Sequence, residues 1–482
     1  MIGWRRRHPT TFPGVRSRLA PLIVACLVAV AACGGSDDSS TATDGPAETD
    51  APVETDGSAE TDAPVETDAP VETDPPTTET PADTAPPLEP LEILPAGPYG
   101  VGIKTVIINP GTDRPLTTDV WFPLNGPAGD VPRHQYRLIP GLTDTSDAAV
   151  DAEYSAMSSD GPFPLVVYSH GSGGLRYIAS DYTEAIASYG YIVASADHTG
   201  NTALDGLLCT RTDGMTTMLN RVNDVQAIID ELTDPDSFEL SGFVDSVDPE
   251  RIAVTGHSFG GFTTYAAVTG FENELGAVAA DERVDAIIPL APALGGDRPP
   301  ADEVDTEDAA DEESDDVDPC ATPEDETVVT EPPTEEQIAE ARNRQLITDD
   351  QLASITVPAM VIVGTDDTST PVDPNVTRAW ELSNSDPHYR VELVAGQHQS
   401  FSNACRYAEL LPTWPEDLQA LAGPLIESQA SEGCGEGIMD IERAQDLTNT
   451  FAITFLDSTF RGGEMISADT TEIPDDVILM AS

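Results

Sequence analysis

From about residue 97 onward, short apolar runs alternate with segments of helical spacing. Residues 101–109 (VGIKTVIIN) and 117–123 (TTDVWFP) are rich in β-branched and aromatic side chains and predict an early antiparallel pair. Residues 163–171 (FPLVVYSHG), 191–198, 251–257, 284–292, 357–367 and 389–396 predict further strands. Residues 177–190 predict a helix ending at Gly190, and 216–232 one with Leu219, Val222, Ile229 and Leu232 on one stripe. Helices are also expected from about Phe259, around 376–382, and over 441–460. Alternating strands and helices mean an α/β fold, a mostly parallel central sheet with helices on both faces. Ligands of such sheets sit at the carboxyl ends of the strands.

The first fifth of the chain reads differently. Arg5, Arg6, Arg7, Arg16 and Arg18 precede an apolar run at 19–32 that is short for a membrane span. Residues 1–32 therefore read as an export signal, with a plain secretory signal as the alternative to what Cys33 suggests. Val30-Ala31-Ala32-Cys33 resembles the lipobox of bacterial lipoproteins, which implies lipidation of Cys33 and a membrane anchor outside the cytoplasm. Residues 33–96 follow with near-repeats of APVETD at 51–56, 63–68 and 69–74. Proline, threonine and like charges cannot bury a core, so this segment is expected to be a solvated tether, and 97–482 the catalytic domain.

Charge sharpens this division. The net charge is −64; residues 34–95 carry 17 acids and no Lys or Arg, and residues 297–336 carry 18 acids and one Arg. Elsewhere beyond the signal, 51 acids face 16 bases, which excludes a nucleic-acid partner by repulsion of phosphates. The run 297–336 is expected to be a surface insertion, unstructured or a lid, before the penultimate core strand, with a helix over 334–347 after it. It lacks the spacing of a calcium loop. Of six cysteines, Cys209, Cys320, Cys405 and Cys434 remain for the folded part, and three pairings are open. Cys405 with Cys434 is the shorter closure and would tie the segment after His398 to the final helix, leaving Cys209 with Cys320. No metal-like spacing accompanies them, and neither metal nor cofactor is expected.

The chemistry centres on Gly256-His257-Ser258-Phe259-Gly260, a G-x-S-x-G elbow between a predicted strand and helix. A serine nucleophile needs a base, a group to orient the base, and donors for an oxyanion. His398, just past the last predicted strand, is the candidate base. His170 and His198 read as structural, and His134 and His388 show no partner pattern. Asp366 and Asp367 both stand at the end of the strand predicted over 357–367; Asp367 is preferred as the orienting acid. Candidate oxyanion donors are the backbone N–H groups of Phe259 and of Ser172 in His-Gly-Ser-Gly-Gly.

These pieces resemble the α/β-hydrolase superfamily. Residues 165–176 (LVVYSHGSGGLR), 189–198, 254–261 (VTGHSFGG) and 396–401 (GQHQSF) are similar to platelet-activating factor acetylhydrolases, whereas 284–292 with 357–372 is more like cutinase relatives. Animal acetylhydrolases place the acid after the strand corresponding to 286–292, where this chain has Ala291; that favours Asp367. Dienelactone hydrolases proper use cysteine, so Ser258 implies ordinary ester hydrolysis by a Ser258–His398–Asp367 triad on an ester substrate. A non-catalytic binding lipoprotein, or a peptidase or thioesterase, are the other readings of this scaffold.

Overall fold

The computed structural model describes residues 88–139, 142–234, 243–295 and 345–482. The export signal, Cys33, the tether up to residue 87, the insertion 297–336 and most of the expected helix at 334–347 lie outside the described residues. Ten strands form the central sheet: β1 Val101–Ile108, β2 Leu116–Pro123, β3 Ala149–Asp151, β4 Phe163–Ser169, β5 Ile192–Ala196, β6 Val247–His257, β7 Ala286–Leu290, β8 Ala359–Gly364, β9 His388–Leu393 and β10 Val477–Ala481. Their order across the sheet is β10-β9-β8-β7-β6-β4-β5-β2-β1-β3. From β9 to β5 the strands run parallel, and β10 and β2 close the two sides antiparallel.

Successive side chains of a strand face opposite ways. Along β4, Leu165 and Val167 enter one core and Val166 and Tyr168 the other. The first core is completed by α3 (Gly214–Thr233), through Val222, Ile229 and Leu232, and by Phe262 and Ala266 of α4 (Phe259–Thr269). Leu219 of the predicted stripe is only partly buried there. The second core takes Ile186 of α1 (Ser180–Ser188) and Leu447, Phe451 and Phe455 of the C-terminal helix Ile441–Arg461.

Several elements exceed the sequence reading. Residues 88–96, assigned above to the tether, join the folded part: Glu89–Pro90 pairs with Thr471–Glu472, and Leu91, Ile93 and Leu94 pack on the second core. The insertion does precede the penultimate parallel strand, β8, but β10 adds an antiparallel edge after both. The loop after β5 contains a short helix, α2 (Ala203–Leu208). Helices Ala404–Leu410 and Glu416–Ala430 lie between β9 and the C-terminal helix.

Cys405 and Cys434 form a disulfide, with 5.8 Å between their Cα atoms. Cys434 lies in the loop before the final helix rather than on it, so the tie to that helix is indirect. Cys209 is also disulfide-bonded; Cys320 lies outside the described residues. The Cys405–Cys434 bridge spans 29 residues, and loss of that closure should cost ~2–4 kcal/mol. Cys405→Ser is therefore expected to lower the urea unfolding midpoint, with full-length protein compared under non-reducing conditions. An unchanged midpoint would mean the bridge contributes nothing.

The strand ends set up the site. Ser169 of β4 pairs with Gly256 of β6, His257 with Leu290 of β7, and Gly364 of β8 with Leu393 of β9. Five loops thus leave one edge of the sheet together.

Candidate active site

β6 ends at His257 and α4 begins at Phe259, leaving Ser258 alone at the turn. Its backbone sits at φ 58°, ψ −116°, a conformation costing a non-glycine residue about 1–3 kcal/mol. Neighbouring strands hold it there: Ser258 N–H donates to the Leu290 carbonyl (3.0 Å) and the Ser258 carbonyl accepts from Ala293 N–H (3.0 Å). The flanking glycines are required by contact with β4. A Cβ at Gly260 would lie 1.8 Å from the Ser169 carbonyl oxygen, and one at Gly256 2.5 Å from the same atom.

Ser258 Oγ lies 2.9 Å from His398 Nε2, and His398 Nδ1 lies 2.8 Å from Asp367 Oδ2. Of the two aspartates weighed above, Asp367 faces the histidine. Asp366 turns back, its N–H donating to Gly396 O and its carboxylate accepting from Thr365 Oγ1. Asp367 Oδ1 accepts from the N–H groups of Ser369 (2.9 Å) and Thr370 (2.7 Å). Burial opposes ionisation of Asp367, but the bond and charge of His398 and the bonds from Thr370 outweigh it and hold the carboxyl below the usual range. Thr370 Oγ1 stands at the junction, 2.8 Å from Asp367 Oδ2, 3.0 Å from Ala291 O and 3.1 Å from His398 Nδ1.

The histidine loop is fixed from three sides. His257 Nε2–H donates to the His398 carbonyl (2.8 Å). Burial, and then the neighbouring His398, push the His257 imidazole down to about 3, so it stays neutral. Asn403 N–H donates to Ile178 O, and Gln399 N–H to Glu432 O beside the disulfide. A Cβ at Gly364 would strike Gly396 O at 2.2 Å, so the loops after β8 and β9 touch backbone to backbone.

The His170–Gly174 turn lies over the elbow: a Cβ on Gly171 would be 3.4 Å from Ser258 Cβ. The N–H groups of Ser172 and Phe259 have no hydrogen-bond partner among the described residues. Ser258, Phe259, Gly171 and Ser172 are partly exposed, whereas Asp367 and His398 are buried. The arrangement offers a hydroxyl next to a base, facing solvent, with two unused donors nearby. Among the described residues no group of three or more His, Cys, Asp or Glu could hold a metal ion.

The sequence profile of platelet-activating factor acetylhydrolase, isoform II, matches residues 133–217, a stretch that includes the His170–Gly174 turn. The structure is similar to that of a ferulic acid esterase from Streptomyces cinnamoneus, with a TM-score of 0.51 at 20% identity, over 82% of this chain and 99% of that one. The chain has the α/β-hydrolase fold. The order Ser258, Asp367, His398 along the chain is the order in which this fold presents serine, acid and histidine.

The same fold contains a second Ser–His–Asp arrangement. Ser169 Oγ is 2.9 Å from His198 Nε2, and His198 Nδ1 is 2.9 Å from Asp224 Oδ2. All three are buried, so substrate has no access. Burial, then the charges of Arg221 and Arg114, hold His198 well below its ordinary pKa, which opposes the imidazolium a base must become. The structural reading of His198 stands on these contacts. His170 also belongs to this layer, its Nε2 accepting from His198 N–H. The two histidines without a sequence pattern do have partners: His134 Nδ1 is 2.7 Å from Asp151, and the His388 ring is 4.3 Å from that of Trp380. Thr370 and Arg221 were missed. The only signal for Arg221 was a charge next to the apolar stripe of 216–232, and Thr370 had none beyond its place near Asp367.

Proposed function

We propose that the protein is a serine hydrolase that cleaves carboxylic esters through an acyl-serine intermediate. The observation that carries this reading is the unbroken relay from Ser258 Oγ through His398 to Asp367, open to solvent only at the serine. Neutral His398, oriented by Asp367, accepts the Ser258 proton at Nε2 as Oγ bonds to the ester carbonyl carbon. The N–H groups of Ser172 and Phe259 receive the oxyanion. The intermediate collapses by breaking the bond to the alcohol oxygen, which takes the proton from Nε2. Water then attacks the acyl-serine, giving its proton to His398, and the acid leaves as Ser258 regains its hydrogen.

The partial match to an acetylhydrolase profile and the fold shared with an esterase support ester over amide substrates. The lipobox reading of Cys33 adds an exported, membrane-anchored enzyme on an acidic tether. A fluorophosphonate probe, which reacts only with an activated serine, is expected to label the full-length protein at Ser258. Turnover of p-nitrophenyl esters of increasing chain length, with amide and thioester analogues alongside, then separates the ester reading from peptidase or thioesterase activity. Absence of both labelling and ester turnover would leave the protein a binding scaffold.

A further inference from the structure

A cation that has no carboxylate partner among the described residues is buried beneath the turn that carries Ser172. Arg221 lies within α3 and is fully buried. Among the described residues it makes no ion pair; Asp224, the nearby acid, is taken by Arg114 and His198. The guanidinium instead meets backbone carbonyls and neutral side-chain oxygens. Nη1 donates to the His170 carbonyl (2.5 Å) and Nη2 to the Gly171 carbonyl (2.9 Å). Nε and Nη2 both donate to Asn201 Oδ1, at 3.0 and 2.6 Å. Its carbon sits 4.7 Å from the centre of the Phe259 ring. Burial pushes this guanidinium down to about 9, with Asp224 opposing, so it carries its charge at neutral pH.

A buried cation loses its hydration, and a merely structural one would be expected to recover that loss from a carboxylate. Here the charge is shared between two carbonyls of one backbone turn and the neutral side chains of Asn201 and Ser169, the latter 3.2 Å from Nη1. The Gly171 carbonyl and the Ser172 N–H belong to one peptide unit. That bond is not among the cis peptides, so its oxygen and hydrogen lie on opposite edges of one plane. A cation on the oxygen withdraws electron density through the amide, makes the N–H a stronger donor, and fixes which way it points. Asn201, held twice by Arg221, reaches Ser172 Oγ with Nδ2 at 3.5 Å. The ring on which the guanidinium rests belongs to Phe259, whose own N–H is the other candidate donor.

We propose that Arg221 is a positioning residue for oxyanion stabilisation, orienting and polarising the Gly171–Ser172 peptide from beneath while bracing Phe259. This rests on the serine-hydrolase reading above. A group that acts this way matters more in the transition state than in substrate binding. With p-nitrophenyl acetate and rates normalised to fluorophosphonate-titrated sites, Arg221→Met is expected to lower kcat roughly 10–100-fold while KM changes less than threefold. Affinity for a trifluoromethyl ketone, which forms a tetrahedral adduct on serine, should fall by the same factor as kcat/KM. Arg221→Lys keeps the charge but cannot reach both carbonyls and Asn201 together, and should fall between. Should the methionine variant not fold, the lysine variant decides by the same ratio. If kcat per titrated site and ketone affinity stay within twofold of wild type in a folded variant, the proposal is overturned and Arg221 only holds structure. Failure of the underlying reading is seen separately, as a wild-type protein that neither labels nor turns over.

Discussion

Ser258→Ala is expected to remove turnover, lowering kcat on the order of 10⁵-fold, with fold and melting temperature close to wild type. The size follows from what is lost. Without Oγ no acyl-enzyme forms, and His398 and the donor N–H groups can assist only direct attack by water. The fold survives because, among the described residues, the serine hydroxyl hydrogen-bonds only to His398, and the side chain packs in no core. The strained backbone gives a further check. At φ 58° a glycine has no Cβ penalty, so Ser258→Gly should be as inactive as the alanine variant and at least as stable. Kinetics with a soluble ester, with thermal melts of all three proteins, test both parts. An alanine variant within tenfold of wild-type kcat would remove Ser258 as nucleophile.

Asp367→Asn is expected to lower kcat about 10³–10⁴-fold, while Asp366→Asn stays within about twofold. The carboxylate can only accept, so it selects the His398 tautomer with hydrogen on Nδ1 and leaves Nε2 free to take the serine proton. An amide can donate to Nδ1 instead, which puts the hydrogen on Nε2, where it blocks that transfer. The turn should persist, because an amide oxygen can still accept from Ser369 and Thr370 N–H. Asp366 is the control, since among the described residues its carboxylate bonds only Thr365 and its side chain lies outside the relay. Equal losses in the two variants would show that turn integrity, rather than the tautomer, is what matters there.

How legible the site was in the sequence depended on whether each constraint was local. The elbow could be read because two glycines must sit against β4, and a strand must run directly into a helix. His398 could be read because it follows the last parallel strand. Helix Glu416–Ala430 went unread: Gly423 and Pro424 within its sequence argue against a helix, and among the described side chains Leu418 and Ile426 meet a small cluster around Leu411 and Trp414. The edge strand β10 is a five-residue run whose strand character comes from pairing with β9, far away in sequence.

By itself, the sequence determined the alternation of the parallel strands with the main helices, the elbow serine, the loop histidine and the acidic segments unsuited to a core. Hydrophobic period, glycine placement and charge are properties of neighbouring residues. Only the tertiary structure decided which of two adjacent aspartates faces His398, that Thr370 joins them, and that Cys405 meets Cys434. It alone separated the open Ser258 relay from the buried Ser169–His198–Asp224 copy, and placed Arg221 under Gly171. Those are statements about distance and solvent access between segments far apart in the chain, and they are fixed by sheet register and loop packing rather than by any local pattern.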